Sequence, residues 1–220
     1  MTRQTRRNSV AKPTIGDLEA AREMFEAVEP RDLFYRLSLY LMKQTEGSSG
    51  SFSRVEALAV LLQTWNHSYY QRLRIPFDAA HFAAIESLLS EHERTLAAFA
   101  RRSIDSLVPA DEAPVRALYR EFAAVLGQTG ASKALHVLAP RFFPLWDGPI
   151  AGAAYGLYAR DDRDYWRLLC ATAEQVEAVG GEAALGRNPL KAIDEYNYCR
   201  YTLKRTSWLP KSEEAPDDGH

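Results

Sequence analysis

The sequence predicts an all-α fold, and three observations carry that prediction. Apolar residues recur at intervals of three and four, as in Leu33, Leu37 and Leu41 and again in Leu58, Leu61, Leu62 and Trp65, which places them on one face of a helix. No stretch alternates apolar and polar residues as a half-buried strand does. Glycines and prolines punctuate the chain at helix-length intervals. With 220 residues, 46% of them apolar and 25% charged, the chain has enough apolar side chains for a sizeable core.

Taken in order, helices are expected over 17–28, 31–44, 53–72, 78–104, 112–126, 131–139, 149–157, 162–178 and 189–204. The serine-glycine run at 46–51 separates the second from the third. Pro76 follows the end of the third, and Pro109 and Pro114 bracket the start of the fifth. Glycines between 127 and 130 break the chain before the sixth, and Gly180 and Gly181 stop the eighth. Residues 1–13 are polar and basic, and 210–220 are acidic and proline-containing. Neither stretch carries the apolar surface needed to order itself, so both are expected as loose tails around a single helical domain at 14–209, built as one body or as two lobes sharing a core.

The formal charge of −2 excludes a strongly basic nucleic-acid coat protein, but local patches decide phosphate affinity. Cys170 and Cys199 lie far apart and form neither a CxxC pair nor a zinc cluster, which points to free thiols in a reducing compartment. The longest apolar stretch, 57–62, is far too short to span a bilayer. A cytoplasmic monomer without a membrane partner is expected. The five histidines show no HExxH or other ligand spacing, and neither a GxSxG elbow nor a Walker loop is present. Neither a metal nor a cofactor is expected.

The segment 127–150 concentrates the unusual residues. Gly127, Gln128, Thr129 and Gly130 precede Ala131, Ser132 and Lys133 at the start of a helix. Glycine permits positive φ and close approach to the backbone, and the free amides of a first helical turn favour an anion. Lys133 in that turn is disfavoured by the helix dipole unless an anion accompanies it. The plain alternative is an ordinary connection with an exposed lysine. One short helix later, Phe143-Pro144-Leu145-Trp146-Asp147-Gly148-Pro149 sets a carboxylate in a rigid, partly apolar turn. Asp147 there is either a helix N-cap or a functional acid. His136, one turn after Ser132, is expected as a hydrogen-bonded structural histidine.

These two stretches together resemble the helix-hairpin-helix DNA glycosylase superfamily, in which a glycine hairpin grips DNA phosphate and a catalytic aspartate follows one helix later. Phe143-Pro144-Leu145-Trp146-Asp147-Gly148 matches the aspartate pattern closely. The hairpin departs from the family: with Gly130 as its last glycine, Gln128 stands where a glycine is usual and Thr129 where an apolar residue is. The interval from Gly130 to Asp147 is roughly one helical turn shorter than in typical members, so the resemblance is to a divergent relative. It implies a two-lobed helical fold, Asp147 as the catalytic carboxylate, and Gly127, Thr129, Gly130, Ser132 and Lys133 as DNA contacts. Lyase-competent members carry a lysine two residues after the last glycine; that position is Ser132 here, and Lys133 lies one residue on. The resemblance therefore implies a monofunctional, hydrolytic enzyme that flips a damaged or modified base and cuts its N-glycosidic bond, in base-excision repair or in defence against phage DNA with modified bases.

Two further clusters suit that reading. Gln63, Trp65, Asn66 and Tyr70 combine rings and amides near the end of a long helix, and with Trp146 they are candidates for a base pocket or an intercalating wedge. Equally, the rings pack in the core and the amides face water. From 187 to 211 the cations Arg187, Lys191, Arg200, Lys204, Arg205 and Lys211 outnumber Asp194 and Glu195 and are interleaved with Tyr196, Tyr198, Tyr201 and Trp208. Such a helix can lie along a phosphate backbone, with Arg200 and Lys204 as its expected DNA contacts. The alternative function is a non-catalytic helical module that binds DNA or a protein, with Asp147 as a cap. The two differ in one observable: in the enzyme, Asp147 opens into a cleft bordered by the 127–133 turn and by Trp65 or Asn66.

Overall fold

The computed structural model describes residues 10–45 and 52–204, and among them every regular element is helical. The break expected at 46–51 and the tail at 210–220 lie outside the described residues. At the other end, residues 10–13 are held rather than loose: Pro13 is buried, and Gln175 Nε2 donates to the Ala11 carbonyl at 2.7 Å.

Helix α1 (Ile15–Val28) begins with a capping box, in which the Thr14 hydroxyl accepts from the Asp17 amide and the Asp17 carboxylate accepts from the Thr14 amide. Helix α2 (Asp32–Gln44) follows, then α3 (Arg54–Trp65), opened by the same device at Ser53 and Glu56. The single helix expected at 53–72 is two. It bends at Asn66 (φ −117°, ψ 12°) into α4 (His67–Leu73). The long helix expected at 78–104 is likewise divided at His92, into α5 (Ala79–Glu91) and α6 (Glu93–Ala100). After two short 3-10 turns come α7 (Glu112–Leu138), α8 (Gly148–Tyr155), α9 (Asp162–Ala178), α10 (Gly181–Leu185) and α11 (Pro189–Asn197), the last running on into a π turn at Tyr198–Thr202. No helix among the described residues is long and apolar enough to cross a membrane.

The glycine segment differs most from expectation. Instead of a turn spanning 127–130, one residue leaves the helix: Gly127 at φ 70°, ψ 166°, after which α7 resumes. Only glycine occupies that backbone region without strain. The Tyr69 ring lies against Gly127, and the Asn66 side chain lies against Gly130. Asn66 Nδ2 also donates to the Leu126 carbonyl at 3.1 Å, so the bend between α3 and α4 is fastened to the bend in α7. Gly127→Ala should therefore lower stability by at least about 2 kcal/mol, from backbone strain plus collision with Tyr69. Gly156 is also left-handed, at φ 67°, but has open space around it. Thermal unfolding of Gly127→Ala beside Gly156→Ala checks this, and equal losses would show that the Tyr69 contact is not felt.

The buried apolar side chains form two clusters. The larger joins α2, α3, α5, α6, α7 and α9 through residues such as Leu58, Leu62, Phe122, Leu135, Phe143 and Tyr165. The smaller joins α1 and α11 to the end of α9 through Leu18, Phe25, Val176, Leu190, Ile193 and Tyr196. Helix α9 contributes to both.

Candidate active site

A cavity of about 250 Å³ opens at the seam between these clusters. Trp65, Lys133, Trp146 and Asp147 approach it from the larger one, and Phe25, Glu29, Asp194 and Tyr198 from the smaller. A drug-sized ligand needs a larger pocket; this one suits a single planar ring with its polar edges. A wider open groove of about 960 Å³ between α9 and α10 contains none of the expected site residues.

Asp147 reaches the cavity because the preceding turn is nailed down. The Ser132 hydroxyl accepts from the Trp146 amide at 3.0 Å and donates towards the Thr129 and Trp146 carbonyls, while Tyr165 donates to the Pro144 carbonyl at 3.3 Å. Trp146 is fully buried, packed at a tilt against Tyr119 and Tyr165. Asp147 is half-buried and is also the N-cap of α8, its Oδ1 accepting from the Ile150 amide at 3.4 Å. That is long for a hydrogen bond, and it leaves the second carboxylate oxygen without a cap role.

Lys133 is not on the surface. Its side chain is 9% exposed, its Nζ donates to the Trp65 carbonyl and stands 5.8 Å from the centre of the Trp65 ring. Burial lowers its pKa to about 8, against the opposing pull of Asp147 and Asp194. Trp65 is held in plane by stacking on Tyr35, with ring centres 5.8 Å apart, and by donating its Nε1 to the Arg31 carbonyl at 2.9 Å. Behind it Tyr35 meets His136 Nε2 at 2.9 Å, and His136 Nδ1 meets the Phe143 carbonyl at 2.6 Å. Burial pushes His136 down to about 4, so this interior histidine is neutral and structural.

On the opposite wall, Glu29 accepts from Arg31 through both Nε and Nη2 and from the Tyr198 hydroxyl. Hydrogen bonding from Arg31 is the main cause that holds its carboxyl at about 2. Asp194 also lines the cavity. Burial, together with Glu195 and Asp147, raises its pKa to about 6 in spite of Lys191 and Lys133.

The structure thus brings together Trp65, Lys133, Trp146 and Asp147 and leaves the other expected site residues elsewhere. Ser132 is fully buried with its hydroxyl committed to the backbone, so it offers nothing to a DNA surface. Gly127 and Gly130 are buried under Tyr69 and Asn66, which fill the close approach the sequence reserves for a phosphate; Thr129 is half-buried. Asn66 is a core fastener, and the Tyr70 hydroxyl meets His81 inside the fold. Gln63 sits with Trp65, Arg31 and Ser68 in an open trough that adjoins the cavity.

The basic C-terminal segment spends two of its cations inside the fold. Lys191 is buried among Asp32, Asp194 and Glu195, and Arg187 pairs with Glu195 and Glu19. Arg200 lies over the rings of Tyr196 and Tyr201, and Lys204 is exposed. Arg205, Trp208 and Lys211 lie outside the described residues. Sequence reasoning missed Asp194, which was counted only as a charge offsetting lysines. The signal was present: acids three and four residues after Lys191, interleaved with the apolar Leu190, Ala192, Ile193 and Tyr196, mark an inward-facing ion cluster.

One further group, Glu91, His92 and Glu121, holds potential metal-ligand atoms within 4.8 Å of one another, and none of these residues lines the Asp147 cavity. Comparison with protein-family models, curated proteins and solved structures finds no match to this chain.

Proposed function

We propose that this chain is a DNA glycosylase-like enzyme that takes a flipped, damaged or modified base into the cavity at Asp147 and hydrolyses its N-glycosidic bond, in genome repair or in defence against phage DNA carrying modified bases. The observation that carries the reading is the cavity itself: an aspartate with one oxygen clear of its cap role, in a pocket bounded by a fixed indole and a buried lysine. Trp65, which lines both the cavity and the trough beside it, supplies an aromatic wall for the base. Asp147, as carboxylate, stabilises the cationic sugar that develops as the bond to the base breaks, and takes a proton from the water that adds at C1′. The trough holding Gln63, Trp65 and Ser68 gives the strand a path to the cavity.

The non-catalytic alternative and the enzyme share the hairpin and the basic helix as DNA contacts, so what favours the enzyme is the opening of Asp147 into the cavity. The hairpin glycines are covered by side chains, and Arg187 and Lys191 are paired inside the fold. A different second reading gains from the position of Lys133. A buried lysine with lowered pKa is an activated amine, and it favours a lyase step in which the neutral Nζ bonds to C1′ while the C1′–N bond to the base breaks and its electron pair leaves with the base.

The experiment is strand scission after base release. Duplexes carrying a panel of damaged and naturally modified bases are treated with the wild type and with Asp147→Asn, and parallel samples are reduced with borohydride. Base release that depends on Asp147, without a trapped adduct, supports hydrolysis. An adduct lost in Lys133→Gln supports the lyase reading. Equal activity in wild type and Asp147→Asn overturns hydrolysis at Asp147, and no release from any duplex overturns both.

A further inference from the structure

Asp194 has no part in the chemistry so far, yet it stands where a second acid is useful. It comes from α11, across the seam from Asp147, and both carboxylates line the 250 Å³ cavity. They also line a void of about 10 Å³ behind it, walled further by Trp146, Tyr155 and Asn197. The walls there are fixed: Asn197 Nδ2 donates to the Tyr155 hydroxyl at 2.8 Å, which donates to Gln175 at 2.9 Å. Asp194 makes only a loose ion pair, 3.7 Å to Lys191 Nζ, whereas that lysine stands nearer to Asp32 and Glu195, at 3.1 and 3.3 Å. Its carboxyl is therefore the least committed of the three around Lys191.

We propose that Asp194 is the general acid of this site, protonating the departing base, so that the enzyme acts on uncharged bases, which are poor leaving groups without a proton. The inference rests on the glycosylase reading given above. In the step, the C1′–N bond breaks and its electron pair goes to the base; the Asp194 carboxyl proton passes to a nitrogen or oxygen of that base. Water adds its oxygen to C1′ and gives a proton to the Asp147 carboxylate. The products are the neutral base and an abasic sugar, with the proton deficit at Asp194 and the gain at Asp147 restored through solvent. A cavity lined by two carboxyl groups, one to give a proton to the leaving group and one to take a proton from water, is the arrangement that breaks glycosidic bonds generally.

The groups around Asp194 pull its carboxyl in both directions, with a net raise that makes it a stronger proton holder than an ordinary aspartate. Asp147 from the start of α8 and Glu195 on its own helix oppose its ionisation, as does burial; Lys191 and Lys133 favour it. Asp32 faces the same lysine from α2, and the buried Tyr35 and Tyr155 are uncharged at neutral pH because burial raises both. The balance places the carboxyl at about 6. Lys133 carries the other acidic proton in the cavity, but its Nζ is directed to the Trp65 carbonyl.

The test is the single-turnover rate of base release as a function of pH, using whichever duplex of the panel is cleaved. The expected profile falls tenfold per pH unit on the alkaline side of about 6. Asp194→Asn is expected to slow release on the order of 10²-fold and to flatten that limb. The same base carrying an electron-withdrawing halogen, a better leaving group, should regain most of the loss in Asp194→Asn and none of it in Asp147→Asn. Asp194→Asn leaves Lys191 two acids and should fold. If it does not, the wild-type profile decides alone, through loss of the alkaline limb with the halogenated base. A wild type that releases base with a rate flat above pH 6, or an Asp194→Asn that matches it while Asp147→Asn is dead, overturns the role of Asp194 and leaves the glycosylase reading standing. A wild type inert on every duplex overturns both.

Discussion

Asp147→Asn is expected to lower base release by a factor on the order of 10³ while the variant melts within a few degrees of the parent. The contrast is informative because asparagine caps a helix as well as aspartate does. The Ile150 amide keeps an oxygen acceptor at the position where it now finds Oδ1 at 3.4 Å, and the backbone of Gly148 and Pro149 is untouched. What disappears is the negative charge facing the cavity. An amide neither stabilises a cationic sugar nor takes a proton from water. If Asp147 is only a cap, Asp147→Asn is silent and Asp147→Ala costs about 1 kcal/mol of stability. If it is the catalytic carboxylate, both variants are dead and only the alanine variant melts early. Abasic-site formation and thermal unfolding on the same two proteins separate the cases.

How far this site could be read from the sequence differs residue by residue. The all-helical fold was legible because periodicity is a local property of the chain: Leu58, Leu61 and Leu62 announce the buried face of α3 without reference to anything distant. The bends were not. Residue 66 reads as part of an unbroken helix over 53–72, and the chain turns there with Asn66 bonded across the fold to the Leu126 carbonyl. The opposite happened at 127–130, where two glycines read as a loop. Gly127 alone supplies the bend; Gly130 stays helical and is small to admit Asn66. Both glycines have a physical reason, but one is conformational and the other steric, and sequence does not separate them.

Charge was the least legible property. Lys133 reads as an exposed cation at a helix start and is instead buried over Trp65, because the residues around it, Ala131 to Leu138, are all interior. Lys191 misleads in the same way. A basic residue reveals its burial only through its partners, and those partners lie on α2, at the end of α3 and one turn along α11. Asp147 stands out in the sequence because its own neighbours define its turn; Asp194 does not, because what draws attention to it is the cavity it shares with Asp147.

Lys191→Met is expected to cost roughly 3–5 kcal/mol of stability, the largest loss from any single exchange considered for this protein. The Lys191 ammonium stands 3.1 Å from Asp32, 3.3 Å from Glu195 and 3.7 Å from Asp194, and 4.0 Å from the centre of the Phe25 ring. Burial lowers its pKa, but Asp194, Glu195 and Asp32 together outweigh burial and raise it. Methionine fills the space of the stem and keeps the contact with Phe25, so packing loss is small. The loss comes from the carboxylates left facing one another without a cation. In a chain of this size, that corresponds to a fall in melting temperature on the order of 10 °C. The sign of the pH dependence follows. Without Lys191 these acids bind protons more tightly folded than unfolded, so acidification favours the folded state of the variant. The deficit relative to the parent should be greatest near neutral pH and shrink as pH falls towards 4, where carboxyl groups take up protons. Adding Asp194→Asn to Lys191→Met removes one of the stranded charges and should recover part of the loss, whereas additive losses in that double variant would show that the two side chains do not share a charge balance. A basic surface helix that merely lies along DNA predicts none of this: its lysine would exchange for methionine with almost no change in stability at any pH.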